Sequence, residues 1–256
     1  MILLVIALAV FVISFFIIRK RKLPAAPLPG SFGKLLKEHV AFYRRLDKKG
    51  KARFQTKVGQ FLAEVRIEGV GMEVNDVDRI LVASGAVIPI FGFPEWQYQN
   101  LTNVILYPDT FDEEFQFEGE SRNIMGMVGS GYMNGQMLLS RAALLRGFSS
   151  SAGRGNTAIH EFVHLLDKSD GATDGVPENL LAHQYIVPWL HRIHQEMHKI
   201  QSGQSDINPY AITNEAEFFA VASEYFFEKP AELKQKHPEL YRQLCMVFAQ
   251  KGQANS

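Results

Sequence analysis

Cysteine is almost absent from this chain: Cys245 stands alone among 256 residues. An intramolecular disulfide is excluded, and so is a zinc site built on two or more cysteines. A lone thiol fits a reducing compartment. Net charge is missing too, with 27 basic residues against 27 acidic ones. The molecule as a whole has no electrostatic reason to seek nucleic acid, so direct nucleic-acid binding is not expected. Internal repeats are also absent. What is there, 46% hydrophobic and 21% charged residues, is the composition of a globular chain and not of a disordered one.

The first eighteen residues lack charge altogether, and Ser14 is their only polar side chain. As a helix they would extend roughly 27 Å, close to the thickness of a bilayer's hydrocarbon core. A cleaved signal peptide would carry basic residues ahead of its apolar run and a small-residue cleavage site behind it. Here the basic residues come afterwards, as Arg19, Lys20, Arg21 and Lys22. The expectation is one transmembrane helix over residues 1–18 in the inner (cytoplasmic) membrane, with the basic flank holding the rest of the chain in the cytoplasm. Residues 19–30 form a basic, proline-rich linker, and residues 31–256 a single domain.

Within that domain, apolar residues at helical spacing (Phe32, Leu35, Leu36, Val40, Phe42) predict two amphipathic helices between residues 31 and 65, hinged at Lys48-Lys49-Gly50-Lys51. A further helix is expected over residues 76–87. The short apolar runs at 87–91 and 103–107 read as buried strands, as does QMLLS at 136–140, followed by a short helix. Residues 108–135 are polar and glycine-rich, with acids at Asp109, Asp112, Glu113, Glu114, Glu118 and Glu120. They read as a solvated loop, with a flap over a site as the sharper alternative. From Asn156 onward the pattern is mainly helical. The fold class is therefore α+β, mainly helical with a small sheet.

The chemistry concentrates at His160-Glu161-Phe162-Val163-His164. Histidines four apart lie one turn apart on the same helix face, where both imidazoles can ligate one zinc ion. Glu161 sits beside the first histidine without being a ligand. Zinc lowers the pKa of a water to about 7, and a glutamate there can take that water's proton as it attacks a carbonyl carbon. The flanking Ala158, Ile159, Phe162, Val163, Leu165 and Leu166 are all apolar, which marks a buried helix and weighs against structural histidines or a chance match.

A catalytic zinc site needs a third protein ligand. Asp170, six residues beyond His164, has the metzincin spacing, but Asp167 stands where such sites need a glycine. Asp167 itself suits a supporting or helix-capping role. The third candidate is a downstream apolar helix carrying Glu217 and Glu224. They are seven residues apart on one face, about 10.5 Å, so only one can ligate. Glu217 could instead complete a capping box with Asn214, but an acid inside so apolar a run favours a ligand. His191, His194 and His198 flank the buried stripe of their own helix and read as surface residues, with a second metal site as the minor alternative.

Three segments together resemble the Mlc titration factor A family of zinc peptidases, related to the gluzincins: the HEFVH helix with its LLD extension, the GVP at residues 175–177, and YAITNEAEFFAVASEYFFEKP at 210–230. The resemblance implies a zincin-like fold, zinc held by His160, His164 and Glu217, Glu161 as general base, and Tyr210 close to the substrate. It implies a peptide or protein substrate. The family is also named for capturing a transcriptional repressor of sugar uptake, so a regulatory binding module with a slow or vestigial peptidase is the second expectation. An intact Glu161 favours the enzyme. Two features depart from the family pattern: the N-terminal apolar stretch, and Glu215 in place of a proline two residues before Glu217.

Overall fold

The structure is a computed structural model and describes residues 30–112, 116, 123–129, 134–149 and 153–249. Among these residues no helix is long and apolar enough to cross a membrane. The expected anchor at 1–18 and its linker up to residue 29 lie outside the described residues, as do Glu113, Glu114, Glu118 and Glu120.

Three helices open the chain: α1 (Gly30–His39), α2 (Ala41–Arg45) and α3 (Lys48–Glu64). The expected hinge at Lys48–Lys51 is instead the first turn of α3. Asp47 caps it by accepting the Gly50 N–H at 2.6 Å, and the breaks fall at Val40 and Leu46. Strand β1 (Arg66–Gly69) follows, then α4 (Asp76–Ile90), which Asn75 and Asp78 start with a reciprocal capping box. The expected strand at 87–91 is the last turn of α4 and its C-terminal cap. Every residue from Ile80 to Ile90 is buried, and a continuously apolar run does not distinguish a buried helix from a buried strand.

The sheet is completed by β2 (Asn103–Tyr107), β3 (Gly126–Val128) and β4 (Gln136–Ser140), in the order β1-β2-β4-β3. β1, β2 and β4 are parallel, and β3 runs antiparallel along β4 at the edge. The polar stretch read as a loop thus contains an edge strand. Alternation divides the sheet: Val104, Leu106, Met137 and Leu139 join the main core, while Tyr107 and Leu138 pack with Phe111 on the other face.

Helix α5 (Arg141–Gly147) leads to α6 (Thr157–Asp167), which continues as a 3-10 turn at Lys168–Asp170. Then come α7 (Ile186–Gln201), a 3-10 turn at Pro209–Ile212, α8 (Glu215–Glu228), α9 (Pro230–Lys236) and α10 (Pro238–Val247). α8 is deeply buried, with all residues from Phe218 to Phe227 inside. It packs directly on α6. On α7 the buried residues are Trp189, Ile193, Glu196 and Ile200, and His191, His194 and His198 are exposed, as their flanking positions implied.

Candidate metal centre

α6 exists because Asn156 caps it, accepting the Ile159 N–H at 3.3 Å, and because Ile159, Phe162, Val163 and Leu166 are fully buried along it. Each such side chain contributes about 1.5–3 kcal/mol relative to exposure. That burial fixes the opposite face, which carries His160 and His164. α8 is capped in turn by Asn214, whose side-chain oxygen accepts the Glu217 N–H at 2.8 Å. The Glu217 carboxylate does not close the capping box. It turns to the histidines of α6.

His160 Nε2 and His164 Nε2 are 3.1 Å apart. Glu217 Oε2 lies 3.0 Å from the first and Oε1 3.5 Å from the second. Among the described residues these three form the one group able to hold a metal ion. Donors placed about 2.0–2.1 Å from a tetrahedral zinc stand roughly 3.3 Å from each other. The observed separations fit that geometry, and two nitrogens with a carboxylate suit zinc chemically. Asp170 is elsewhere: its carboxylate accepts the N–H groups of Ala172 and Glu178.

Glu224, seven residues further along α8, takes the other side of the same imidazole. Its Oε1 is 2.7 Å from His160 Nδ1, and its other oxygen accepts the Asn156 backbone N–H. This carboxylate holds the imidazole in place, and with His160 neutral it would favour the tautomer that leaves Nε2 free for a metal. Asp167 accepts the Gly175 N–H at 2.8 Å, so it anchors the following loop.

Electrostatics follow from the crowding. Burial works against a charged His160, but hydrogen bonds to Glu217 and Glu224 outweigh it and lift the pKa to about 10. Burial would raise Glu217, yet the two histidines hold it at about 2. In the metal-free protein a proton therefore sits where a cation would, and metal and proton compete for these ligands. Glu161 is buried, which pushes its pKa up, against the pull of His160 and His164. Tyr210 lies over the site with its ring 6.2 Å from that of His160 and is 54% exposed. Burial of its hydroxyl, with Glu217 and Glu161 nearby, raises its pKa.

Two further contacts bear on the site, and the first has no motif in the sequence. Gly126, first residue of the edge strand, presses on Glu161: a Cβ there would stand 2.6 Å from Glu161 Cγ and 2.7 Å from Oε1. Gly175 joins three helices. Its N–H goes to Asp167 at the end of α6, and its carbonyl accepts Trp189 Nε1 of α7 at 2.7 Å. A Cβ on it would lie 2.3 Å from the Glu215 carbonyl oxygen at the start of α8. The GVP motif marked the second position; only the fold shows why.

A histidine pair one helical turn apart, a glutamate between them and a carboxylate from a second buried helix define a metallopeptidase-type centre. The chain belongs to the family described as glucose-regulated metallo-peptidase M90, which it matches over residues 16–249. An uncharacterized protein of Synechocystis is 28% identical over 241 residues, 90% of this chain and 87% of the relative. Mlc titration factor A of Salmonella agona is 30% identical and that of Cronobacter sakazakii 29%, each alignment covering 75% of this chain and 76% of the relative.

Proposed function

We propose that the protein is a zinc-dependent peptidase of gluzincin type, with His160, His164 and Glu217 as ligands and Glu161 as general base. The convergence of both Nε2 atoms and the Glu217 carboxylate within 3.5 Å supports this reading above all else. When bound, zinc supplies a Lewis acid that acidifies a water and polarises a carbonyl. Glu161 takes the proton of the attacking water and returns it to the departing amine; its burial keeps the carboxylate basic enough for both steps. The Tyr210 hydroxyl donates a hydrogen bond to the oxygen on which negative charge develops. The outer edge of β3 offers backbone groups along which an extended peptide can pair, and Gly126 brings that edge directly beside Glu161.

Glu161→Gln tests the assignment. Gln keeps the shape but cannot accept the proton. Zinc content should stay near one per chain, and peptide hydrolysis should fall by about a hundredfold or more. Undiminished hydrolysis in this variant would place the activity elsewhere.

A second reading draws on the relatives named Mlc titration factor A. Under it the chain binds a transcriptional regulator, and Glu161→Gln retains that binding. If neither form hydrolyses peptides while the regulator still binds, this reading prevails.

A further inference from the structure

Where β3 runs on past Gly126 and α6 past His164, the described residues line a cavity of about 560 Å³, although none of the candidate ligands borders it. One wall is the end of β3, Val128 and Gly129; another is the end of α6, Leu165 and Lys168; Trp96 forms part of the rest. Gly129 lies three residues along the strand from Gly126, about 10 Å. Lys168 lies one turn beyond His164, about 6 Å along the axis. A peptide paired along β3 with its scissile bond beside Glu161 would bring a residue two or three positions away into this space, which is large enough for a side chain and its neighbours.

The charge of the cavity is set by Lys168. It is half-buried, its closest hydrogen-bond acceptor is the Gly129 carbonyl at a long 3.4 Å, and among the described residues it forms no ion pair. Among the described residues the only acid on the cavity wall, Glu95, is exposed. The remaining polar lining is largely amide, including Asn134 and Asn179, which can donate as readily as accept. A half-buried ammonium with no carboxylate partner among the described residues, on the wall of a cavity that a peptide paired on β3 would reach, calls for an anionic partner.

We propose that this cavity is a substrate subsite that selects a carboxylate through Lys168, supplied either by an acidic side chain or by the peptide's own C-terminus. The proposal rests on the peptidase reading above. It makes the preferred substrate an acidic peptide or a short one ending close to the cleaved bond.

The test uses the zinc-loaded full chain and matched peptides that differ only by Glu, Gln or Lys at successive positions, each with a free or an amidated C-terminus. Binding is read in the Glu161→Gln protein from tryptophan fluorescence. The chain has two tryptophans, and only Trp96 lines this cavity, Trp189 being fully buried elsewhere. Trp96→Phe should abolish the response. At one position, or at the chain end, carboxylate peptides should bind and turn over at least about tenfold better than their amide counterparts. Lys168→Met should erase that ratio, and Lys168→Glu should invert it in favour of Lys peptides. Dependence on the Glu position identifies a side-chain carboxylate, and dependence on amidation identifies the terminus. Hydrolysis without carboxylate preference, or a preference that survives both Lys168 variants, overturns the subsite and leaves the peptidase reading intact. Lys168-dependent carboxylate binding with no hydrolysis by the unmodified protein sinks the peptidase reading and keeps the subsite as a binding site.

Discussion

The two oxygens of Glu224 face different partners, His160 Nδ1 on one side and the Asn156 backbone on the other. Both Glu217 and Glu224 therefore act on one imidazole, Glu217 from its metal-facing nitrogen and Glu224 from the opposite one. The spacing of seven showed that only one of them could ligate. It did not show which, because both lie on one face and the choice depends on how α8 meets α6. Glu224→Gln keeps the size but weakens the hold on the histidine, and zinc affinity should fall about 10- to 100-fold, as for other supports of metal-bound histidines. Glu217→Ala should remove most of the affinity, and Asp170→Ala should change it little, since Asp170 only ties down its own loop. Zinc titration of the three purified variants checks the order. A larger loss in Asp170→Ala than in Glu217→Ala would move the site into a different ligand class.

At the scale of elements, the helix pair carrying the candidate metal ligands was readable from its apolar runs; the structure adds the caps, Asn156 before α6 and Asn214 before α8. Strand β3 was not. It is three residues long, Gly126–Val128, all half-buried, and it lies in a glycine-rich stretch with no alternation to announce it. Its place is set by pairing with β4, a contact between distant residues that local sequence does not encode. The end of α4 failed for the opposite reason, since it is so completely buried that no periodicity survives. The contact of β3 with Glu161 gives a prediction. Gly126→Ala places a methyl group against the Glu161 carboxylate and should depress hydrolysis by about tenfold or more, the cost of a small misplacement of a reacting group. Zinc content should be unchanged, because the ligands lie on α6 and α8. Parallel loss of zinc would show that the strand supports the metal and not the base.

For the whole molecule, a second charged cluster ties the C-terminal helices to α7. His237 lies between Glu196 of α7, at 3.0 Å, and Asp206, at 2.8 Å. Asp206 also binds Arg154 and Lys236, Glu232 joins both of those cations, and Glu196 binds Lys199 with Arg192 close by. The hydrogen bond to Glu196 raises His237, burial opposes it, and Asp206 adds to the rise. Burial would raise Glu196, but His237 and Lys199 lower it; burial would raise Asp206, but Lys236 and His237 hold it well below the usual carboxylate range. The raised histidine contributes stability that is complete below its unfolded pKa of about 6.5 and is lost as pH climbs through its higher folded value. The depressed carboxylates contribute above about pH 4 and lose that only as pH falls through their lowered folded values. Stability from this cluster should therefore be greatest between about pH 4 and 6.5. The thermal midpoint should drop on going to pH 8.5, and His237→Gln should flatten that drop. An equal alkaline loss in the variant would assign the dependence to other groups.

Gly175 acts at the same scale, because α6, α7 and α8 all lean on its backbone. Its φ of +77° lies in the left-handed region, which alone costs a side-chain-bearing residue roughly 1–2 kcal/mol, and the Glu215 carbonyl leaves no room for a Cβ. Gly175→Ala should lower the thermal midpoint by several degrees or more and reduce zinc retention, although residue 175 touches no ligand. These contacts also divide the chain by how freely it can change over generations. The exposed histidine face of α7, where the contacts are solvent-exposed ones such as His194 to Glu215, can drift at small cost, while position 175 admits one residue. A random-mutation survey scored for folding alone would find the hinge of this metal centre without ever detecting a metal.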